Sequence, residues 1–524
     1  MSRRTLEIPE DEAKTTNVLS APVSRPGAKW LLGGLLCLGV LWALITFINS
    51  KWLFTRDKVI ADLEEATSSK LEVRSFRPRR FPRPGCVLEG LIFRRPQAGP
   101  NAPPLLTVRK LVIRGSFFGL ITKHVALVRA EDAHAVIPPF GTGGWAQSKS
   151  PQDAIVDELE ANGSVLEFSR KSPRDPLVKF LIREFSIQGL GSKGKLPFKA
   201  VLRTPEPPGD ARLAGSLGPW KDENPTQTPI SGDYSFNDAN LGAFSGIAGK
   251  LASDGKFGGT LNHMDVEGTT SIPEFEVKRS GHNVDLKTQY RAVVDAMNGD
   301  VSVEAASSHF WRTKVQTSGT IAGEKGKKGK TASLQMWSRE ARIQDVLMLF
   351  ISEPKAPLNG ALNFKIHTQL PPGDSPFLRK VQLEGDFGID SAKFTNSDTQ
   401  HTVDDLSEHA RGGKDDDNPE RVLSDLKGHV VLKNGIATFT QMSFNVPGAI
   451  ARMHGTYDLV SERINLQGDL QIQAKPSDAT SGMKSFLLKA FDPFLKNNHH
   501  NALVPVKITG TYSKPNYAVS SKPK

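Results

Sequence analysis

Arg77, Arg79, Arg80 and Arg83 stand close together in FRPRRFPRPGCVLEGLIFRRP, the stretch from Phe76 to Pro96. Guanidinium groups pair with phosphate through parallel hydrogen bonds, so this cluster is a candidate for holding anionic lipid headgroups. A solvated basic turn between two strands accounts for the same residues, since VLEGLIF alternates as a strand does. A second candidate is GMKSFLLKAFDPFLKNN, where Met483, Phe486, Leu487, Ala490, Phe491 and Phe494 make a wide apolar face edged by Lys484, Lys489 and Lys496. Such a helix suits a membrane surface or a protein partner, and it would equally cap the open edge of a sheet.

Other reactive residue types lack the spacing that chemistry needs. His499 and His500 have no spaced third ligand, and Asp415–Asp417 lacks the alternating donors and closing Glu of a calcium loop. There is no G-x-S-x-G, P-loop or H-E-x-x-H. The expectation is a protein without catalytic residues, metal or cofactor, acting through a surface.

Composition points the same way. Lys and Arg total 67 against 56 acidic residues, a net +11 over 524 residues with both signs interspersed. That is a mildly basic surface, not one built for nucleic acid. Gly (46) and Pro (35) are abundant, as many strands and turns require. Two cysteines, Cys37 and Cys86, imply no disulfide framework.

WLLGGLLCLGVLWALITFI, from Trp30 to Ile48, carries no charge and has about the length of a bilayer's hydrocarbon core. Lys29 and Lys51 bracket it, with Trp30 and Trp52 at the interfaces. The run lacks a good cleavage site and reads as an uncleaved anchor, with a short cytoplasmic N-terminus and the bulk of the chain across the membrane. The expected organisation is a disordered tail (1–28), a transmembrane helix (29–50), an α+β region (51–150), a central β-rich region (151–335) and a C-terminal β domain (336–520).

Beyond the anchor the pattern is mainly β. A short amphipathic helix is expected over Thr55–Ser69, another over Ser150–Gly163 with Ser150 as its cap and Pro151 in its first position, and a third from Ser338 to about Ile351. Elsewhere strands dominate. Asn434-Gly435 marks a hairpin turn between two apolar runs, and Ala449–Leu459, Arg463–Ala474 and Ala502–Pro515 alternate apolar with polar. The loops AGEKGKKGKT and Asn396–Glu420 look mobile.

Order, more than any single motif, carries a resemblance. An anchor, a short helix and LEVRSFRPRRFPRPGCVLEGLIFRR resemble the start of AsmA-like proteins. LKGHVVLKNGIATFTQMSFNVPGAIARMHGTYDLVSERINLQGDL and VPVKITGTYSKPNY look like the AsmA-like C-terminal domain. The resemblance covers residues 30–140 and 335–520, while the middle fits only as Gly-punctuated strands. It implies an inner-membrane protein of diderm bacteria whose bulk is periplasmic: an elongated, curled antiparallel β-sheet whose apolar groove carries phospholipid toward the outer membrane. About 30 strands at ~4.8 Å spacing would extend roughly 140 Å. On this reading Leu466, Leu470, Ile472, Val504, Val506 and Ile508 line the groove. Alternation alone admits a closed sandwich equally well, and an assembly factor for outer-membrane proteins that carries no lipid is the alternative function. An outer-membrane or other envelope protein would then be a partner beside the inner membrane and its phospholipids.

Overall fold

A computed structural model describes residues 54–519 except 96–103, 117, 123, 138–154, 169–177, 206, 222, 325–328, 396–423, 447–448, 473–502 and 512–513. The apolar run Trp30–Ile48, the helix with Phe486, Leu487, Phe491 and Phe494, His499–His500 and Asp415–Asp417 lie outside the described residues. Among the described residues no helix is long and apolar enough to cross a membrane.

Residues from Phe54 onward form one unit, built on a single sheet of 26 described strands. Helix α1 (Arg56–Thr67) precedes β1 (Lys70–Arg79), β2 (Gly85–Arg94) and β3 (Leu106–Arg114). A one-turn helix α2 (Gly119–Thr122) leads to β4 (His124–Val125), β5 (Leu127–Ile137), β6 (Ile155–Asn162) and β7 (Ser164–Phe168). Then come β8 (Val178–Leu190), β9 (Leu196–Pro205), β10 (Pro208–Leu217), β11 (Pro229–Asn240), β12 (Ile247–Ala248) and β13 (Lys250–Thr260). Long hairpins follow: β14 (His263–Val277), β15 (Asn283–Asp295), β16 (Asp300–Phe310), β17 (Thr313–Gly323) and β18 (Lys330–Arg342). Helix α3 (Ile343–Met348) separates β18 from β19 (Leu358–Leu370), and α4 (Phe377–Lys380) separates β19 from β20 (Gln382–Phe394). The sheet ends with β21 (Ser424–Lys433), β22 (Ile436–Val446), β23 (Ala449–Asp458), β24 (Arg463–Ile472), β25 (Leu503–Thr511) and β26 (Lys514–Val519).

Nearly every strand pairs antiparallel with its neighbour in sequence, so the sheet is a meander. The exceptions are β4, which runs parallel to β6, and β5, which runs parallel to β6 and β7; they make the sheet mixed. Hairpin turns explain the antiparallel steps. Asn434 and Gly435 take φ of 55° and 83° between Lys433 and Ile436, the left-handed pair of a two-residue turn, as the sequence predicts.

Two helix expectations change. The segment expected to be helical over Ser150–Gly163 is the strand β6 in its described part. Leu159 faces Val128 and Ile187 while Glu160 pairs with Arg129 on the other side, so a period of two overrides good helix caps. The helix expected from Ser338 starts only at Ile343, because Ser338–Arg342 continue β18 against β19.

Because paired residues share a face, the registers can be followed across the sheet. One row runs Phe198, Gly215, Gly232, Phe257, Val266 and Ala292. It continues through Val303, Gly319, Leu334, Thr368 and Leu383 to Leu432, Ala437, Tyr457, Ile464 and Gly510. No charged residue interrupts it. The opposite face alternates in sign across successive strands, as at Asp233, Lys256, Glu267 and Arg291. Cross-strand opposite charges of this kind favour the register.

The uncharged face is sealed in its C-terminal part. Leu362, Ile389, Ala451, Met453 and Leu470 form one buried cluster, with Ile343 and Val346 of α3 packed against it. Helix α4 supplies Leu378 to a second cluster that joins Val277 at the end of β14 to Leu432 and Ala437. The sheet therefore wraps: Phe377 N donates to Ser245 O at 2.9 Å, and Ser352 Oγ donates to Glu462 Oε1 at 2.8 Å.

Candidate functional site

Between β9 and β18 the uncharged face is sealed at one end, where Val284, Phe310 and Val315 are buried beside Val346, and elsewhere several of its side chains are neither sealed nor fully open. Leu213, Tyr234, Val266, Leu286, Leu334 and Met336 are half-buried, while Asp265 and Glu267 on either side of Val266 are exposed. A sealed core would bury such side chains, as it does Leu362 and Leu470 at 5% and 3% exposure. The row from Phe198 to Gly510 spans about 70 Å along its curved path at ~4.8 Å per strand.

Part of this face is polar without being charged. Ser253, Thr270, Thr288 and Ser308 occupy one register line. Thr270 Oγ1 donates to Ser253 Oγ at 3.1 Å, and the Thr288 and Ser308 hydroxyls are 2.9 Å apart. The Tyr234 and Tyr290 hydroxyls bond to each other, and each contacts Ser253 Oγ. Burial pushes the Tyr234 pKa up, so its phenol stays neutral. Gly255 and Gly268 make room for Tyr234, since a Cβ at either would collide with Tyr234 Oη. The hydroxyls satisfy one another and keep the floor uncharged.

The expected groove residues near the C-terminus divide. Leu470 is sealed in the core cluster. Leu466, Val506 and Ile508 are half-buried and pack against the same cluster. Ile472 and Val504 take their places in β24 and β25, with their side chains outside the described residues. Leu466 and Ile508 share a register line with Leu213, Tyr234 and Met336, far away in sequence. The half-buried stretch from Leu213 to Met336 was missed from sequence, although its alternation is equally regular.

The arginine cluster is not on this face. Arg77 aligns with Val87, Val112, Arg129 and Glu160, the line that continues into Lys199 and Asp233 on the charged side. Its guanidinium pairs with Glu89 at 3.3 Å and remains 70% exposed. Arg79 follows on the same side, and Arg80 and Arg83 sit on the β1–β2 turn. The groove side of this hairpin carries Leu88 and Cys86, both buried, and burial pushes the Cys86 thiol up to about 12.

The charged face holds open clefts. One of about 1210 Å³ is lined by Trp337, Lys365, Asp386 and His429, and another of about 1060 Å³ by Arg129, Glu160, Lys199, Asp233 and Lys256. His429 is already engaged, with Nδ1 2.8 Å from Asp386 Oδ1. Mixed signs in both clefts cancel locally and select no anion. Among the described residues no group of His, Cys, Asp and Glu could hold a metal ion. No family model, curated protein or solved structure matches the chain.

Proposed function

We propose that this chain is an AsmA-like envelope protein, anchored in the inner membrane by Trp30–Ile48 with its sheet in the periplasm. It binds or conducts phospholipid toward the outer membrane along the uncharged rows of the sheet. One observation carries the reading: an unbroken uncharged face on which Leu213, Tyr234, Val266, Leu286, Leu334 and Met336 stay half-buried, with buried Phe257 and Ala292 between them. Acyl chains laid there would gain about 0.8 kcal/mol per CH₂ removed from water. Headgroups would stay at the rim, since the rows themselves hold no charge.

The sealed cluster under β19–β25 favours a second reading, an assembly factor whose apolar face is simply core. Native mass spectrometry of the full chain in mild detergent, with lipid extraction, separates the two. Stoichiometric phospholipid is the expected result. An empty, stably folded chain would favour the assembly factor.

A further inference from the structure

We propose that the β1–β2 turn and the loop after β3 form a second membrane contact, docking on an anionic lipid surface. Phe81 and Phe118 enter the interface and Arg79, Arg80 and Arg83 meet the headgroups. This rests on the anchor reading above and adds a contact that reading does not contain.

Phe81 and Phe118 are 86% and 76% exposed, more than any other large hydrophobic residue described. Single exposed apolar residues are common, but these two stand at one end of the same three strands. Gly85 is in register with Arg114, and Gly115 N donates to Pro84 O at 2.7 Å. The two loops therefore leave the sheet side by side. Both are braced, one by Pro82 and Pro84, the other by Gly119 N donating to Ser116 Oγ at 2.8 Å.

Charge selects the occupant. No acidic residue occurs from Phe76 to Leu88 or from Leu111 to Ala130, while Arg79, Arg80, Arg83 and Arg114 do. Aromatic rings among cations are the composition of an interfacial anchor on anionic lipid. Chain connectivity agrees. Phe54 is buried at 5% exposure, and a Cβ at Gly115 would meet its ring at 2.9 Å. The described chain thus enters the sheet at the base of these loops.

The test places an environment-sensitive dye on Phe81→Cys, on Phe118→Cys and on Asp265→Cys, a control whose side chain is 72% exposed. Cys37→Ala is the background, and buried Cys86 stays unlabelled in the folded chain. The full chain is reconstituted in phosphatidylcholine vesicles with and without phosphatidylglycerol. Lipid-borne nitroxide is expected to quench positions 81 and 118 at least about twofold more than 265. Replacing Arg79, Arg80 and Arg83 with Gln should remove the gain that phosphatidylglycerol gives. If 81 and 118 report water as 265 does while the protein floats with the vesicles, the docking proposal falls and the anchor stands. If the protein does not float, both fall.

Discussion

Leu470→Glu should unfold the C-terminal part of the sheet, and Val266→Glu should leave it folded but without bound lipid. Both residues lie on the uncharged face, in strands of the same meander. Leu470 is 3% exposed among Leu362, Ile389, Ala451 and Met453, so a carboxylate there has neither water nor a partner. Losing the leucine and burying a charge should together cost about 4–5 kcal/mol or more, a large share of typical domain stability. Val266 is half-buried, and a glutamate there can turn its carboxylate to water, for a cost within about 1 kcal/mol. Denaturation midpoints and phospholipid extracted per chain check the pair. If Val266→Glu unfolds the protein as Leu470→Glu does, β14 faces a sealed core and there is no groove.

Asp345→Ala should cost about 2–4 kcal/mol by freeing α3 from the sheet. Asp345 Oδ2 accepts from Arg312 N at 3.0 Å and from Thr313 Oγ1 at 2.8 Å. Thr313 Oγ1 in turn accepts from Arg342 N at 3.0 Å, and Thr313 is fully buried. Removing the carboxyl takes the acceptor from the buried Thr313 hydroxyl and from the part-buried Arg312 N–H at the turn between β16 and β17. The same helix packs Val346 against both the cluster around Leu362 and the one around Val284 and Phe310. Its release should therefore expose Ile343–Ile351 to protease while the β1–β5 region stays protected. Asp345→Asn keeps one acceptor and should lose markedly less. Equal losses for Ala and Asn would mean that packing alone holds α3.

Much of the strand pattern was legible because it depends on near neighbours. The Asn434–Gly435 turn, the strands around Leu466 and Ile508, and α1 all follow from local spacing. The error at β6 has a local cause too: Leu159 and Ala161 alternate with Glu158 and Glu160, but Ser150 and Pro151 advertise a helix start. What alternation could not convey was which part of the apolar face is sealed. That depends on α3 and α4 folding back over strands far away in sequence, and Leu470 and Val266 look alike until those helices are placed.

The arginines show a different limit. Whether Arg77 faces the groove depends on side-chain parity carried through every intervening strand, and each irregularity resets it. One lies between Ile182 and Glu184, where β8 meets β9, and another between Phe236 and Ala239 in β11. A turn dense in arginine is visible in the sequence, but the side of a sheet it belongs to is a property of the whole register.

The most direct test of the central claim is photocrosslinking at two adjacent positions in the full chain held in its own membrane. A benzophenone side chain at Val266 points along the uncharged face, and one at Glu267 along the charged face. Phospholipid adducts are expected at 266 and none at 267. No adduct at 266, or equal adducts at both, would contradict that claim.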